Sequence, residues 1–244
     1  MDEWEELKRW TAFDLQNAGF IRICDRDIDT DEADLKAFEA MLENSPSEQD
    51  LQRFLQDHPR ILHPELTSHC RWVKPQQQFG SEFRPDFLTA RIDSNPGVRW
   101  TLIELQRVDA GLFTQDKRQR TTEQFDEGLK QIIEWRDWIA ENGDYARKPR
   151  VRNGLGLAGI SHQADGLILI GRRGNISAED RKRARNLTWP HHVEVHTYDW
   201  LADETRKTVA FWRSLAATEG CQECLSIRHL THDKFGKPKR TRSS

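Results

Sequence analysis

Apolar residues recur along this chain at helical spacing in some stretches and in alternation in others, and the switches between them mark out its elements. In residues 1–44, Trp4, Leu7, Trp10 and Phe13 recur every three or four positions, as do Leu35, Phe38, Met41 and Leu42 after an aspartate-rich turn, predicting one or two helices. This stretch reads as an accessory acidic helical segment. Ser45-Pro46-Ser47 breaks the pattern and supplies an N-cap for a helix whose inner face carries Leu51, Phe54 and Leu55. That helix should stop at His58-Pro59, because the residue before a proline is pushed out of the α region. Trp72 to Phe79 reads as extended chain. Phe83 to Ile92 and Val98 to Val108 read as two strands of a hairpin around Asp93-Ser94-Asn95-Pro96-Gly97.

Helical spacing returns from Thr121 to Asn142, with Phe125, Leu129, Ile132, Ile133 and Ile139 on one face, and Asn142-Gly143 is a usual stop signal. Gly166-Leu167-Ile168-Leu169-Ile170-Gly171 is a continuous apolar run of the kind that forms a strand covered on both faces. Ser177 caps a basic helix over Glu179 to Leu187, Val193 to Tyr198 alternates as a last strand, and a final helix is expected over Ala202 to Ala216. A helix, a hairpin, a long helix, a buried strand, a helix and a strand, in that order, predict an α/β fold with a mixed sheet flanked by helices.

Composition narrows the function. Charged residues make up 32% of the 244, and mean hydropathy is −0.82, with no apolar run long enough to span a bilayer. The acidic start, Met1-Asp2-Glu3-Trp4-Glu5-Glu6, has no apolar run behind it, so a secretory leader is not expected and a cytoplasmic location is. Cys24, Cys70, Cys221 and Cys224 are too few for a disulfide framework and read as thiols. The net charge is only −3, but residues 1–50 carry 15 acids against 5 bases, while residues 147–185 carry 10 bases against 3 acids. Such asymmetry points to nucleic-acid contact or to a solvated face. Within the basic stretch, Arg172, Arg173, Arg181, Lys182, Arg183 and Arg185 are the candidates for phosphate contact, which gives affinity without reading sequence.

Candidate chemistry concentrates in Arg84-Pro85-Asp86-Phe87 and Leu102-Ile103-Glu104-Leu105-Gln106. Strand alternation puts Glu104 and Gln106 on one face, with Ile103 and Leu105 on the other, and Asp86 can join them across the hairpin. A carboxylate inside an apolar strand is costly unless something neutralises it, and Mg2+ (or Mn2+) does so with hard oxygen ligands. Held by Asp86 and Glu104, such an ion suits phosphodiester hydrolysis. Spacing alone does not separate this from a plainer reading, an edge-strand acid facing water and a turn residue after proline. Gln131 shares a helical stripe with Gln124, Gly128, Trp135 and Trp138, which fits either a site or a surface amide beside packed tryptophans.

Pro85-Asp86 followed by Glu104-x-Gln106 resembles the PD-(D/E)XK nuclease superfamily. The stretch from Glu48 to Leu201 resembles the nuclease-like C-terminal domain of the Shedu antiphage defence family. It carries Ser47-Glu48-x-x-Leu51-Gln52-x-Phe54-Leu55 leading to His58-Pro59-x-Ile61-Leu62, then Phe79-Gly80 and Pro85-Asp86-Phe87. Ile103-Glu104-Leu105, Gly128-Leu129-x-Gln131-Ile132-x-x-Trp135, Leu169-Ile170-Gly171-Arg172 and Thr197-Tyr198-Asp199-x-Leu201 follow in the family's order. The resemblance implies a restriction-endonuclease-like sheet over residues 45–220, with 1–44 accessory and 221–244 a basic tail without fixed structure. It also implies a metal-dependent DNA endonuclease in which Asp86 and Glu104 bind the metal, Gln106 and Gln131 position water or phosphate, and Glu48 supports the site. Homo-oligomers, tetramers among them, and a phage-derived trigger are implied as well. The alternative is a DNA-binding or sensing module on the same scaffold. The departure from the pattern is Gln106, which stands where the superfamily has lysine and offers hydrogen bonds without charge. Arg107, Lys117 and Lys130 are the cations nearest in sequence, Arg107 pointing to the other face if alternation holds.

Three weaker signals are set aside. Gly154-Leu155-Gly156-Leu157-Ala158-Gly159 matches a dinucleotide fingerprint in letters, but no strand precedes it and no helix follows, so it reads as a loop. Cys221-x-x-Cys224 with His229 and His232 is too closely spaced for a zinc finger. His191, His192 and His196 read as surface or satisfied histidines rather than general bases.

Overall fold

The computed structural model of the chain describes residues 3–23, 32–62, 71–92, 97–214, 230–232 and 238–240. Its centre is a six-stranded sheet in the order β1 (Ile21–Ile23), β2 (Arg71–Pro75), β3 (Phe87–Ile92), β4 (Val98–Leu105), β5 (Asp165–Leu169) and β6 (Val193–His196). The first four strands pair antiparallel, and β4, β5 and β6 pair parallel. Parallel pairing needs crossovers, and two helices make them: α4 (Glu123–Arg147) between β4 and β5, and α5 (Ala178–Thr188) between β5 and β6. The expected mixed α/β sheet is present.

Strand alternation sorts the core into two layers. Trp100, Leu102 and Ile168 face α1 (Glu3–Asn17), α4 and α5 through Leu15, Phe125, Ile132 and Trp135. Ile103, Leu105, Leu167 and Leu169 face α2 (Glu32–Glu43), α3 (Glu48–Asp57) and α6 (Tyr198–Ser214) through Phe38, Leu51, Leu55 and Leu201. The described parts of residues 1–44 pack against the same sheet: α1 on the first layer and α2 on the second. They supply an edge strand unannounced by any long alternation, and Phe38 and Leu42 bury in the second layer.

Three boundaries differ from the pattern-based expectation. α4 runs through Asn142-Gly143 with a single non-helical residue, Asn142, because Asn142 Nδ2 bonds the Trp138 carbonyl and Arg147 anchors the last turn on the Ile160 carbonyl. β3 starts at Phe87 because Phe79 and Phe83 close a tight loop on each other. α6 starts at Tyr198 because the Thr197 hydroxyl accepts the Trp200 N–H and caps it. The turn at 93–96, all four cysteines, His229 and most of the tail lie outside the described residues; within the tail, Leu230–His232 and Pro238–Arg240 pair antiparallel. Among the described residues no helix is long and apolar enough to cross a membrane.

Where β4 and β5 end, the chain is tied together tightly. The Gln106 N–H bonds the Leu169 carbonyl, the Gly171 N–H bonds the Arg107 carbonyl, and the Tyr198 N–H bonds the Gly171 carbonyl. Gly171 sits at φ +66°, and a Cβ there would lie 2.2 Å from the Ala110 carbonyl oxygen. Only glycine fits. Gly171→Ala should lower unfolding free energy by roughly 2–4 kcal/mol, from left-handed strain plus the forced displacement, read as an earlier midpoint in urea.

Candidate active site

The carboxyl ends of parallel strands are where α/β sheets place their crevices, and the predicted residues meet there. Glu104 and Gln106 leave the end of β4 on the α4 face, buried to 6% and 4% exposure. The loop before β3 brings in Asp86, whose Oδ2 accepts the Leu105 N–H at 2.9 Å and whose carboxyl shares a hydrogen bond with that of Glu104. Gln106 Nε2 donates to Glu104 Oε1 at 3.2 Å and lies 3.5 Å from Gln131 Oε1 on α4. Gly128, one turn before Gln131, lies against Gln106 and Ile168, which a Cβ there would meet at 3.4 Å, an ordinary contact distance. Glu48 enters from the other layer, at the first turn of α3, where it accepts the Arg107 N–H.

The electrostatics are one-sided. Burial first, then Asp86 and Glu48, push the Glu104 carboxyl up to about 10 from its ordinary 4.5, opposed by the Gln106 hydrogen bond. Asp86 is also raised by burial, against the Leu105 N–H, the Glu104 hydrogen bond and the Arg84 guanidinium. Glu48 is raised by desolvation and by Asp86 and Glu127, with Arg107 pulling the other way. Two carboxyls in hydrogen-bond contact share one proton, since both cannot ionise at that separation without a cation between them. The donors fit a divalent ion: two hard oxygens close enough for one cation, in a site whose protein charges are mostly negative. Among the described residues no group of three or more His, Cys, Asp or Glu converges on one point, so water or phosphate oxygens would complete the coordination of an ion held by Asp86 and Glu104.

An open cleft of about 650 Å3 is lined by Arg84, Lys130, Gln131 and the acids Glu82, Glu127 and Glu134, with Gln131 connecting it to Gln106. Arg84 and Lys130 are the cations of its lining, Lys130 paired with Glu134 at 3.5 Å. Arg107 is clamped by Asp109 at 2.9 and 2.7 Å, and Lys117 sits on the exposed loop before α4.

The basic residues expected to hold nucleic acid divide. Arg172 is taken up by Asp199 through Nε at 3.0 and 3.1 Å and by Glu43 through Nη2 at 2.7 Å, and Arg173 by Asp203, so both tie the end of β5 to α6. Arg183 lies over the Phe113 ring and bonds Gln119, Arg185 lies over Trp189, and Arg181 bonds the Ile176 carbonyl. Arg181, Lys182 and Arg185 remain on the exposed face of α5. Of the histidines, His196 stacks on Trp200 and bonds Glu194; it stands level with Leu105, two strands away, on the opposite face of the sheet from Glu104.

Two participants carry no sequence signal of their role. Tyr198, fully buried at the start of α6, donates its hydroxyl to the Gln106 carbonyl at 2.7 Å across 92 residues of chain. Glu127, beside Gly128, reaches Glu48 electrostatically.

The shared proton has a measurable consequence for stability. Above about pH 4.5 the unfolded chain releases the Glu104 proton while the folded chain keeps it to about pH 10, so the metal-free protein loses stability as pH rises through that window. Glu104→Gln removes this loss while keeping a donor toward Asp86. In EDTA at pH 8 the variant should gain roughly 2 kcal/mol, about 4–8 °C in Tm, with a flatter pH profile in calorimetry.

Comparison with known proteins agrees with the motif order. No curated protein matches the chain closely. The family described as Shedu protein SduA, C-terminal, matches residues 45–202, a span running from just before α3 into α6 and containing every residue of the carboxyl site. The chain belongs to the Shedu family of antiphage defence proteins.

Proposed function

We propose that the protein is a metal-dependent DNA endonuclease of the PD-(D/E)XK type, acting in antiphage defence. The observation that carries this reading is the Asp86–Glu104 pair at the carboxyl edge of a mixed sheet, Glu104 buried and Asp86 half-buried, where burial and the neighbouring Asp86 push the Glu104 carboxyl up to about 10. A Mg2+ or Mn2+ ion bound there would supply Lewis-acid polarisation of a phosphate oxygen and a more acidic water. The chain's own residues do the rest. Asp86 is held by the Leu105 N–H, so its free oxygen is aimed rather than mobile. Gln106 orients a water or phosphate oxygen with a carboxamide that Glu104 and Gln131 keep in place. Arg84 lines the cleft where a phosphodiester backbone would lie, and can offset the charge that lysine offsets elsewhere in the superfamily, whereas Lys130 beside it is paired with Glu134. Glu48 adds negative potential that favours the cation. The exposed bases of α5 extend the phosphate-binding surface, and assembly into homo-oligomers accords with the family.

One observation favours a second reading, a DNA-binding or sensing module. Gln106 is uncharged, buried, and already engaged with two side chains of the protein.

Cleavage separates the readings. Supercoiled and linear DNA should be cut with Mg2+ or Mn2+, spared in EDTA, and cut at least 100-fold more slowly by Glu104→Ala; salt-sensitive DNA binding without cutting in either protein supports the sensing module. Gln106→Lys restores the superfamily's charge next to Glu104. On the nuclease reading it should raise the cleavage rate or leave it intact, measured on the same substrates, and Gln106→Leu should lower it about tenfold or more.

A further inference from the structure

The chain that follows α4 is a fixed platform rather than a loose loop. Its backbone folds back on the helix end: the Leu155, Gly156 and Leu157 N–H groups bond the Tyr145, Lys148 and Ala146 carbonyls, and the Ala158 carbonyl accepts the Trp100 indole N–H. At Gly154 a Cβ would lie 2.0 Å from the Lys148 carbonyl oxygen, so only glycine lets the chain double back this closely. From residue 145 to residue 164 the sequence holds four Lys/Arg and no acid. Arg147 is engaged by Asp144 and the Ile160 carbonyl, whereas Lys148 and Arg150 are exposed. Lys74 of β2 comes near Arg150. The Ala18 carbonyl accepts from its Nζ at 2.5 Å, and burial first, then the Arg150 charge, pushes the ammonium down to about 8. Among the described residues no carboxylate pairs with Lys74, Lys148 or Arg150. Cations held together on a rigid frame without an acid leave a positive potential directed at solvent.

One stripe of α4 joins this platform to the cleft that Gln131 lines. Gln131, Trp135, Trp138, Asn142 and Tyr145 follow at three- and four-residue spacing. Trp135 lines the cleft, Phe79 stacks on Trp138 at 5.0 Å, and Tyr145, 45% exposed, meets Trp138 edge-on at 6.4 Å. From Gln131 to Lys148 the helix rises about 25 Å, the length of roughly seven base pairs. Lysine and arginine heads with no base-reading element beside them suit phosphate oxygens, which give affinity without reading sequence. We propose that Lys148, Arg150 and Lys74 form an anchor for the phosphate backbone of a DNA duplex, about 25 Å along α4 from Gln131. The choice of DNA over another polyanion rests on the endonuclease reading above, and the anchor adds to it a second point of contact remote from the carboxyl site.

Fluorescence anisotropy of the full chain in EDTA, over about 50–200 mM salt, reads the anchor without cleavage. The Lys148→Ala/Arg150→Ala double variant should bind a labelled duplex of about 24 base pairs roughly ten- to a hundredfold more weakly at about 100 mM salt, with the slope of log affinity against log salt reduced by about 2. Lys36→Ala/Arg53→Ala removes two exposed charges from the helices of the other layer and should leave both values unchanged. Circular dichroism checks that every variant is folded. The anchor is overturned if wild type does not bind the duplex, if the folded Lys148/Arg150 variant binds as tightly as wild type, if both double variants weaken binding equally, or if poly-glutamate binds wild type as tightly as the duplex. Cutting by wild type together with unchanged binding in the Lys148/Arg150 variant overturns the anchor and leaves the endonuclease reading standing; weakened binding in that variant, with no cutting by wild type, supports the anchor and contradicts the endonuclease reading.

Discussion

The crowding of two carboxyls, Glu104 buried and Asp86 half-buried, organises this end of the sheet. Asp86 and Glu104 come from neighbouring strands and meet where water is largely excluded, so their repulsion must be relieved by a proton or by a cation. Everything adjacent serves to keep them in that relation. The Leu105 N–H fixes one oxygen of Asp86, Gln106 satisfies one oxygen of Glu104, and Gln131 holds the far side of Gln106. Tyr198 then fastens the Gln106 backbone to a helix in the opposite layer. The site is rigid because its supports come from both layers of the core at once.

That rigidity follows from topology. Only at the ends of β4 and β5 can a loop before β3, a crossover helix and helices from the far face all reach one point. Gly171 is the pivot, since its backbone is bonded to Arg107 on one side and to Tyr198 on the other, and no side chain fits in between. Carboxyls packed this closely, with water partly excluded, are a burden to the fold as they lose their protons. The ion pairs of Arg172 with Asp199 and Glu43 partly compensate by locking α6 and α2 to the end of β5.

Much of this was legible in the chain itself, for physical reasons. Strand alternation put Glu104 and Gln106 on one face, helical spacing put Gln131 and Gly128 on one stripe, and the proline-aspartate step placed Asp86 at a strand entrance. Those are short-range geometric rules, and they held. What was not legible depends on long-range packing. β1 is three residues long, too short for alternation to register. Asn142-Gly143 carries a stop signal that the Trp138 carbonyl and Arg147 override. Arg172 and Arg173 resemble phosphate contacts in sequence, and only the fold brings Asp199, Glu43 and Asp203 to them. The approach of Arg150 to Lys74 needs a fold-back of the chain after α4 that no single segment encodes.

The central claim is that Asp86 and Glu104 exchange their shared proton for a divalent cation. Titration with Mn2+ followed by electron paramagnetic resonance tests it without reference to any substrate. The account predicts saturable binding that releases a proton and tightens as pH rises from 6 to 9, and that is lost in both Asp86→Asn and Glu104→Gln. Binding that is independent of pH and unchanged in both variants, or no binding by the folded wild-type protein, would contradict it.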